Sequence, residues 1–321
     1  MKKLLAELNK FKAKNHPILD NVLLEDGYLT VFDLEHSISI KTEYKERGLV
    51  PFDLLKKVGS KFDNVNISFA GDKAIVSSGD KKFTTTCDNI DDYPFIPKAQ
   101  GDALFSFEMN KDVRTLEKFV SKDEMRPAMM GVHFGKTHLA ATNGHMLKWI
   151  EYSGSETEFI MPKQLFKMVD GVYTVYKTDG KAIAFVSEDI TYTFRVIDAT
   201  YPDYPQVIPA ERPIAFKIDK KELIECIDAA LISANSVTNL IVIDMIQQKM
   251  TSADIDMGTE FSCPLKLEML RGEGFRIGFN GALLNTCLSG ISDNTITMEY
   301  VQGNKPVIMN GNTLLMPLML A

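Results

Sequence analysis

The chain repeats itself at intervals of 108 to 111 residues, and this periodicity restricts its fold more than any other feature of the sequence. The tripeptide Lys-Ala-Ile at 73–75 recurs at 181–183, and the dipeptide Tyr-Pro at 93–94 recurs at 201–202. A third, weaker copy of the pattern occupies 236–309. A fixed period of this kind is the signature of tandem structural units, so we expect one design used three times.

We therefore predict three domains, at 1–100, 101–211 and 212–321. Each begins with a helix, continues in short strands rich in Val, Ile, Thr and aromatic residues, and places a second helix near a Pro or Asn. Segments such as "EDGYLTV" and "VHFGKTHLAA" are typical of hairpins. The predicted class is α+β, with two helices packed on β-sheets in each domain. The predicted helices are 2–13, 52–59, 110–121, 163–169, 219–233 and 281–289.

The composition is that of an ordinary soluble protein, with 321 residues, 45% hydrophobic and 25% charged. There is no apolar run of about 18 residues, so no membrane span or membrane partner is expected. Glu7 and Asn9 interrupt the lysine-containing N-terminal segment, which favours a helix over a signal peptide. The four cysteines are far apart in the sequence and form no CxxC pair, which is typical of a reducing compartment, so we predict a cytoplasmic protein.

Positive charge is concentrated on predicted helices, although the net charge is −7. In the predicted helix 110–121, the spacing of the basic residues places them on one face. A solvated helix face is the ordinary interpretation of such a pattern. Its recurrence in two successive domains of an acidic protein favours a surface that contacts phosphates. The candidate residues for that surface are Lys10, Lys12, Lys14, Lys111, Arg114, Lys118, Lys122, Arg126, Lys163 and Lys167.

The stretch "AATNGHMLKWIE" at 140–151 admits three interpretations. A catalytic His145 would need an acid or nucleophile as a partner, and no GxSxG, HExxH or Cys-His signature occurs in the chain. A metal site would combine His145 with His133 and His138, but no cysteine or paired carboxylate is near them in the sequence. The third interpretation is a glycine turn, oriented by a hydrogen-bonded His145, beside a binding groove.

Several segments together resemble one family, the bacterial β sliding clamp, which is the processivity subunit of the replicative DNA polymerase. The resemblance covers nearly the whole chain. It departs from the family pattern at Asn143, Met146, Gln206 and Met319, which puts the peptide preference of the groove in question. The segments that carry it are "HPILDNVLLEDGYLTVFDLE", "RPAMMGVHF", "LAATNGHMLKW", "VIDATYPDYPQVIP" and "LLMPLML".

The resemblance implies a ring in which two crescents of three domains join head to tail, with helices inward and sheets outward. Duplex DNA would pass through the ring, and the basic residues given above would face it. Binding would be independent of DNA sequence, because phosphate contacts carry no base information. The implied partners are the DNA polymerase III catalytic subunit, the clamp loader, other proteins with a clamp-binding motif and a second copy of the chain. No catalytic activity, cofactor or metal is implied.

The resemblance also implies two sets of site residues. For several apolar members of both sets, ordinary core packing is the alternative interpretation. The implied peptide groove contains Met129, Thr142, Gly144, His145, Met146, Leu147, Pro202, Gln206, Val207, Leu314, Leu315, Met316, Pro317, Leu318 and Met319. The implied interface between subunits contains Lys82, Phe83, Leu231, Ile232, Asp256 and Glu260.

Two other functions remain open at this stage. The first is a clamp-shaped scaffold that binds partner peptides without sliding on DNA; loss of the inward-facing lysines would favour it, and they are present. The second is an enzyme with His145 as its base, which turnover abolished by His145→Ala would support.

Overall fold

The computed structural model describes residues 2–11, 16–154, 156–302 and 304–320. The chain forms two compact units: unit one contains Met1–Met109 and Met168–Val196, and unit two contains Asn110–Lys167 and Ile197–Ala321. Each unit combines two stretches of the chain, because strands that are far apart in the sequence pair within one sheet. The division into three domains at 100 and 211 therefore stays a prediction about repeat boundaries.

The helices begin close to their predicted positions, but those predicted at 2–13, 110–121 and 163–169 are shorter than predicted. The helix predicted at 110–121 becomes a 3-10 turn at Leu116–Phe119 and ends there, so Lys122 does not share a helical face with Lys111. The turn buries both Leu116 and Phe119 completely, and it packs against β10 and β11. No helix in the described ranges is long and apolar enough to cross a membrane. The helices are α1 Lys2–Leu8, α2 Phe52–Lys61, α3 Lys111–Thr115, α4 Leu165–Met168, α5 Lys220–Ser233 and α6 Gly281–Ser289.

The strands are short and all pair antiparallel, as the hairpin signals predict. They are β1 Asn21–Glu25, β2 Tyr28–Phe32, β3 His36–Lys41, β4 Gly48–Pro51, β5 Asn66–Ala70, β6 Lys73–Ser78, β7 Lys81–Thr86, β8 Ala99–Met109, β9 Gly131–Phe134, β10 His138–Thr142, β11 Met146–Glu151, β12 Phe159–Pro162, β13 Gly171–Thr178, β14 Ala182–Val186, β15 Ile190–Arg195, β16 Ile214–Asp219, β17 Leu240–Asp244, β18 Lys249–Asp254, β19 Thr259–Pro264, β20 Leu267–Arg271, β21 Arg276–Asn280, β22 Thr295–Tyr300, β23 Val307–Met309 and β24 Thr313–Leu315.

Each unit contains one long sheet, and the two long sheets have the same strand order except that unit two adds β20 at one edge. In unit one the order is β4-β1-β2-β3-β15-β14-β13-β8, and in unit two it is β12-β9-β10-β11-β24-β23-β22-β16-β20. The pair β3–β15 in unit one therefore corresponds to β11–β24 in unit two. Each unit also has a smaller sheet, ordered β5-β6-β7 in unit one and β19-β18-β17-β21 in unit two. Helices and sheets together confirm the predicted α+β class.

One lysine lies in the layer between the long sheet of unit two and its helices. Lys148 is 4% exposed, and its Nζ lies 3.4 Å from Thr313 Oγ1 on the paired strand β24. Burial lowers the pKa of Lys148, and the nearby Asp112 and Cys287 oppose that shift. The buried ammonium thus costs folding free energy at neutral pH, where the unfolded chain holds its proton in water.

We expect Lys148→Met to raise the free energy of unfolding by about 1–2 kcal/mol near pH 7. Because the folded-state pKa is lowered, the penalty is complete below that pKa and disappears as pH rises toward the ordinary lysine value. The advantage of the variant, measured by urea unfolding near pH 7 and near pH 10, should therefore shrink at the higher pH. The exposed Lys73→Met is the matched control and should change neither value. An advantage that does not depend on pH would contradict the buried charge.

Candidate functional site

The connection between β10 and β11 is held by the two side chains at its start. Asn143 Oδ1 accepts hydrogen bonds from the N–H groups of His145 and Met146, each at 3.0 Å. Thr142 Oγ1 donates to the Met146 carbonyl at 2.8 Å and accepts from Gly144 N–H at 3.1 Å. Gly144 has φ +90°, a conformation that favours glycine. Asn143 thus fills the orienting role expected of His145, whose exposed imidazole makes no hydrogen bond within the described part of the chain.

Tyr201, in the segment that follows β15, is hydrogen-bonded to this turn. The Tyr201 hydroxyl accepts from Thr142 N–H at 3.1 Å and lies 3.3 Å from the Ala140 carbonyl, to which it donates. Its ring stacks on His133 with centroids 4.8 Å apart. Burial raises the pKa of Tyr201, so the hydroxyl keeps the proton that it donates. Sequence reasoning missed this role, although the recurring Tyr-Pro pair already singled out the residue.

An apolar cluster forms beside the turn on the same face of the sheet. Leu147 and Leu314 lie directly opposite each other on β11 and β24, so their side chains share this face. They pack with Ala140 and Ile308, and all four are buried. The half-buried side chains around the cluster are Trp149, Tyr204, Ile208 and Met316. The predicted groove residues Leu147, Leu314 and Met316 are therefore together.

Three other predicted groove residues lie elsewhere. Met146 and Leu315 alternate with the cluster residues along their strands and point to the opposite face of the sheet. There the Met146 Sδ lies 3.9 Å from the Cys287 Sγ of α6, and Leu315 is fully buried. Met129 lies in a 3-10 helix, where its carbonyl accepts from Ser121 N–H at 2.7 Å, and it is not part of the cluster.

The predicted tail and linker residues leave apolar side chains exposed near the cluster. Met316 N–H donates to the His145 carbonyl and Leu318 N–H to the Gly278 carbonyl, each at 2.8 Å, which fixes the path of the tail. Met319 is nevertheless 81% exposed, and Val207 is 52% exposed in a 3-10 helix. The exposed Gln206 donates its amide to the Asp203 carboxylate. The predicted groove residues of these two segments that are partly buried are Pro202, Met316, Pro317 and Leu318.

The histidines do not converge. His133 Nε2 lies 3.2 Å from Glu158 Oε2, and burial lowers the pKa of His133 while Glu158 raises it. His138 Nδ1 instead contacts its neighbour, the Thr137 hydroxyl, at 2.8 Å. Within the described residues, no group of three or more His, Cys, Asp or Glu side chains is placed to hold a metal ion.

The predicted phosphate-facing residues divide into two groups. Lys118 donates to the carbonyl of Ser289 at the end of α6, Arg114 donates to the Phe166 carbonyl, and Lys167 pairs with Glu117. Lys10 and Arg126 similarly pair with neighbouring carboxylates at 2.7 Å. In the described ranges, no ion pair involves Lys111, Lys122 or Lys163. Lys12 and Lys14 lie outside the described residues.

The predicted interface residues lie at two sheet edges. Lys82 and Phe83 are on β7, which ends the order β5-β6-β7. Ile232, near the end of α5, is 85% exposed. Leu231 is half buried and packs closely against Gly281, where an added Cβ would lie 2.9 Å from it. The exposed Glu260 is on the edge strand β19, and Asp256 is in the turn before it. Two residues of that turn which the sequence did not single out, Ile255 and Met257, are 94% and 76% exposed.

Unit one has a face equivalent to the apolar cluster of unit two, but its chemistry differs. Thr30 pairs with Ser39 as Ala140 pairs with Trp149, and Phe32 pairs with Ser37 as Thr142 pairs with Leu147. The segment 93–97 covers this face and encloses a cavity of 510 Å³ over a hydroxyl-bearing floor. The floor residues are Thr30, Ser39, Thr191 and Thr193. The floor in unit one therefore carries hydroxyl groups where the face of unit two carries Ala140 and Leu147, although Phe32, Tyr93 and Ile96 form an apolar cluster beside it.

No family model matches the chain. The beta sliding clamp of Synechocystis sp. is 26% identical to it, over 91% of this chain and 88% of that protein, and the one from Synechococcus elongatus is 24% identical over 92% and 88%.

Solved structures agree in fold. A DNA polymerase sliding clamp from Pseudomonas aeruginosa gives a TM-score of 0.85 at 21% identity, covering 99% of this chain and 97% of its own. The same organism's clamp bound to griselimycin gives 0.83 at 21% identity over 99% and 97%. The DNA polymerase III beta subunit from Thermotoga maritima gives 0.79 at 24% identity over 100% and 97%. Over nearly its whole length the chain is thus similar in sequence to bacterial β sliding clamps, and it has the fold of the solved clamps.

Proposed function

We propose that this chain is a DNA sliding clamp, a homodimeric ring that encircles duplex DNA and tethers the replicative polymerase and repair factors through a peptide-binding groove. The observation that carries the proposal is the apolar cluster of unit two beside the turn that Asn143 holds, with Val207 and Met319 exposed on the two segments that contribute Ile208 and Met316 to that cluster. A clamp loader, the DNA polymerase III catalytic subunit and other proteins with a clamp-binding motif are the proposed partners. The ring does no chemistry of its own in this proposal.

The groove would bind apolar anchors of a short linear motif. Tyr201 and Asn143 fix its wall by hydrogen bonds, so little conformational entropy is lost when a peptide docks. Leu147 and Leu314 provide a desolvated floor, and a few such contacts dominate peptide affinity. The equivalent face of unit one carries Ser37 where unit two has Leu147, so an apolar anchor would prefer unit two.

We expect Val207→Ser and Leu147→Ser each to lower the affinity for a fluorescent clamp-binding peptide that contains Gln-Leu. The expected loss is about tenfold, which corresponds to ~1.4 kcal/mol of binding free energy. Val207 is half exposed, so its replacement leaves the fold intact, whereas Leu147→Ser places in unit two the hydroxyl that unit one carries. Fluorescence anisotropy titration measures both. The matched control is Phe95→Ser, because Phe95 is 68% exposed beside the cavity of unit one. Weaker binding by the control alone would move the peptide site to unit one.

Three lysines are proposed to carry the attraction to DNA phosphates. Lys111 and Lys122 are exposed and Lys163 is half exposed, and their lack of an ion-pair partner in the described ranges leaves their charge available. Lys118, by contrast, is held by Ser289 at the C-terminus of α6, where a cation also stabilises the helix dipole. Each neutralised phosphate releases counterions, so this attraction weakens steeply with salt.

We expect the parent protein, loaded by its clamp loader, to stay on nicked circular DNA during gel filtration and to leave after linearisation. Reversal of Lys111, Lys122 and Lys163 to glutamate should reduce that retention severalfold at about 0.1 M salt, because phosphate attraction becomes repulsion. A matched control reverses the exposed Lys73, Lys177 and Lys305, which gives the same net charge. Equal retention of both triple variants would contradict the proposed DNA face, and loss of the parent from circular DNA would contradict the ring.

The proposed subunit seam joins the β7 edge of one chain to the β19 edge of another. Ser233 and Thr259 are hydrogen-bonded at 3.3 Å, so the end of α5 lies against the start of β19. Ile232, Ile255 and Met257 are exposed there, an apolar group that a monomer would leave in water. Glu260 and Asp256 provide negative charge opposite the lysines of β7.

We expect Ile232→Asp and Ile255→Asp to give folded monomers of 36.0 kDa where the parent forms dimers of twice that mass. A carboxylate in a desolvated seam costs several kcal/mol. The matched control is Ile246→Asp, since Ile246 is 72% exposed in the turn at the other end of the hairpin β17–β18. Light scattering at micromolar concentration measures the mass. If only the control becomes monomeric, the seam is wrongly placed.

A further inference from the structure

Two cysteines that are 37 residues apart in the sequence meet in unit two. The Sγ atoms of Cys226 on α5 and Cys263 on β19 lie 2.8 Å apart, with the Cys263 thiol donating to the Cys226 sulfur. Both are free thiols, and both are partly exposed. A disulfide bond is about 2.05 Å long, so the sulfurs need to approach by only roughly 0.8 Å. We propose that Cys226 and Cys263 are a redox modification site that closes to a reversible disulfide.

The surroundings of the pair determine which sulfur reacts first. Burial, the hydrogen bond with Cys263, and the carboxylates of Glu222 and Glu225 together raise the pKa of Cys226 to about 12. Its thiolate is therefore scarce near neutral pH, and the thiolate is the nucleophile in exchange. The Cys226 thiol also donates a hydrogen bond to the Pro264 carbonyl at 3.6 Å, which favours its protonated form. Cys263 is thus the attacking sulfur, and Cys226 is the one that closes the bond.

The oxidant is a small-molecule disulfide such as oxidised glutathione. The Cys263 thiolate attacks one glutathione sulfur, the S–S bond of the oxidant breaks, and one glutathione thiolate leaves. Cys226 then loses its proton to solvent and attacks the Cys263 sulfur, which releases the second glutathione. Two protein thiols are oxidised by two electrons, one oxidant disulfide is reduced, and two glutathione thiols result. The new bond would tie the edge strand β19 to α5.

The other two cysteines provide internal controls. Burial raises the pKa of both Cys87 and the fully buried Cys287. Cys87 is in unit one and Cys287 is on α6, and Cys287 contacts the Met146 sulfur rather than another thiol. A disulfide that formed by chance encounter of denatured chains would not select the pair 226 and 263.

The test incubates the folded full-length protein with oxidised glutathione, traps the thiols, and counts them after denaturation. We expect the count to fall from four to two, with the intact mass lower by two hydrogens and a peptide pair linking Cys226 to Cys263. Cys87→Ser and Cys287→Ser should still lose two thiols each, whereas Cys226→Ser and Cys263→Ser should form no internal disulfide. The count in the parent protein does not depend on whether any variant folds. Four remaining thiols, a stable glutathione adduct, or a bond to Cys87 or Cys287 would overturn the proposal.

Discussion

Pairing between strands of successive repeats is the constraint on which the rest of the structure depends. Strand β24 reaches back to β11 across more than 160 residues of sequence, and β15 reaches back to β3 in the same manner. These pairs complete each long sheet, so the helices of each unit cover a continuous surface. They also create the candidate groove, because Leu147 and Leu314 become neighbours only when β11 and β24 are aligned. A slip of β24 by one residue against β11 would send Leu314 to the opposite face of the sheet and leave Leu147 without it.

Duplication has preserved the framework of the two long sheets while their exposed faces have diverged. Strand order agrees apart from the added β20, the register of β2 with β3 matches that of β10 with β11, and Tyr93 and Tyr201 lie at equivalent faces. The side chains on these faces differ. Thr30 and Ser39 are hydrogen-bonded to each other at 2.9 Å, whereas the equivalent pair in unit two, Ala140 and Trp149, is apolar. Backbone pairing does not depend on which side chain faces outward, so the outer face was free to change chemistry without loss of the fold.

Much of this fold was readable from the sequence because its signals are local. The hairpin turns, the starts of the helices and the tandem period all follow from residues close together in the chain. The end of α3 could not be predicted from the sequence, because packing against distant strands turns Leu116 and Phe119 toward the sheet. The side of the sheet that Met146 and Leu315 occupy depended on knowing that β11 and β24 pair. The contact of Cys226 with Cys263 was equally hidden, since no spacing rule connects them.

The cross-repeat strands also govern the order in which the protein can mature during synthesis. When residue 100 leaves the ribosome, the edge of β3 has no partner, because β15 ends 95 residues later. An unpaired edge beside buried Ile38 and Ile40 is a template for wrong association. The long sheet of unit two is completed later still, when residues 313–315 of β24 have been synthesised. In a nascent chain of this design, both strand edges therefore stay open until the pairing strands β15 and β24 have been synthesised.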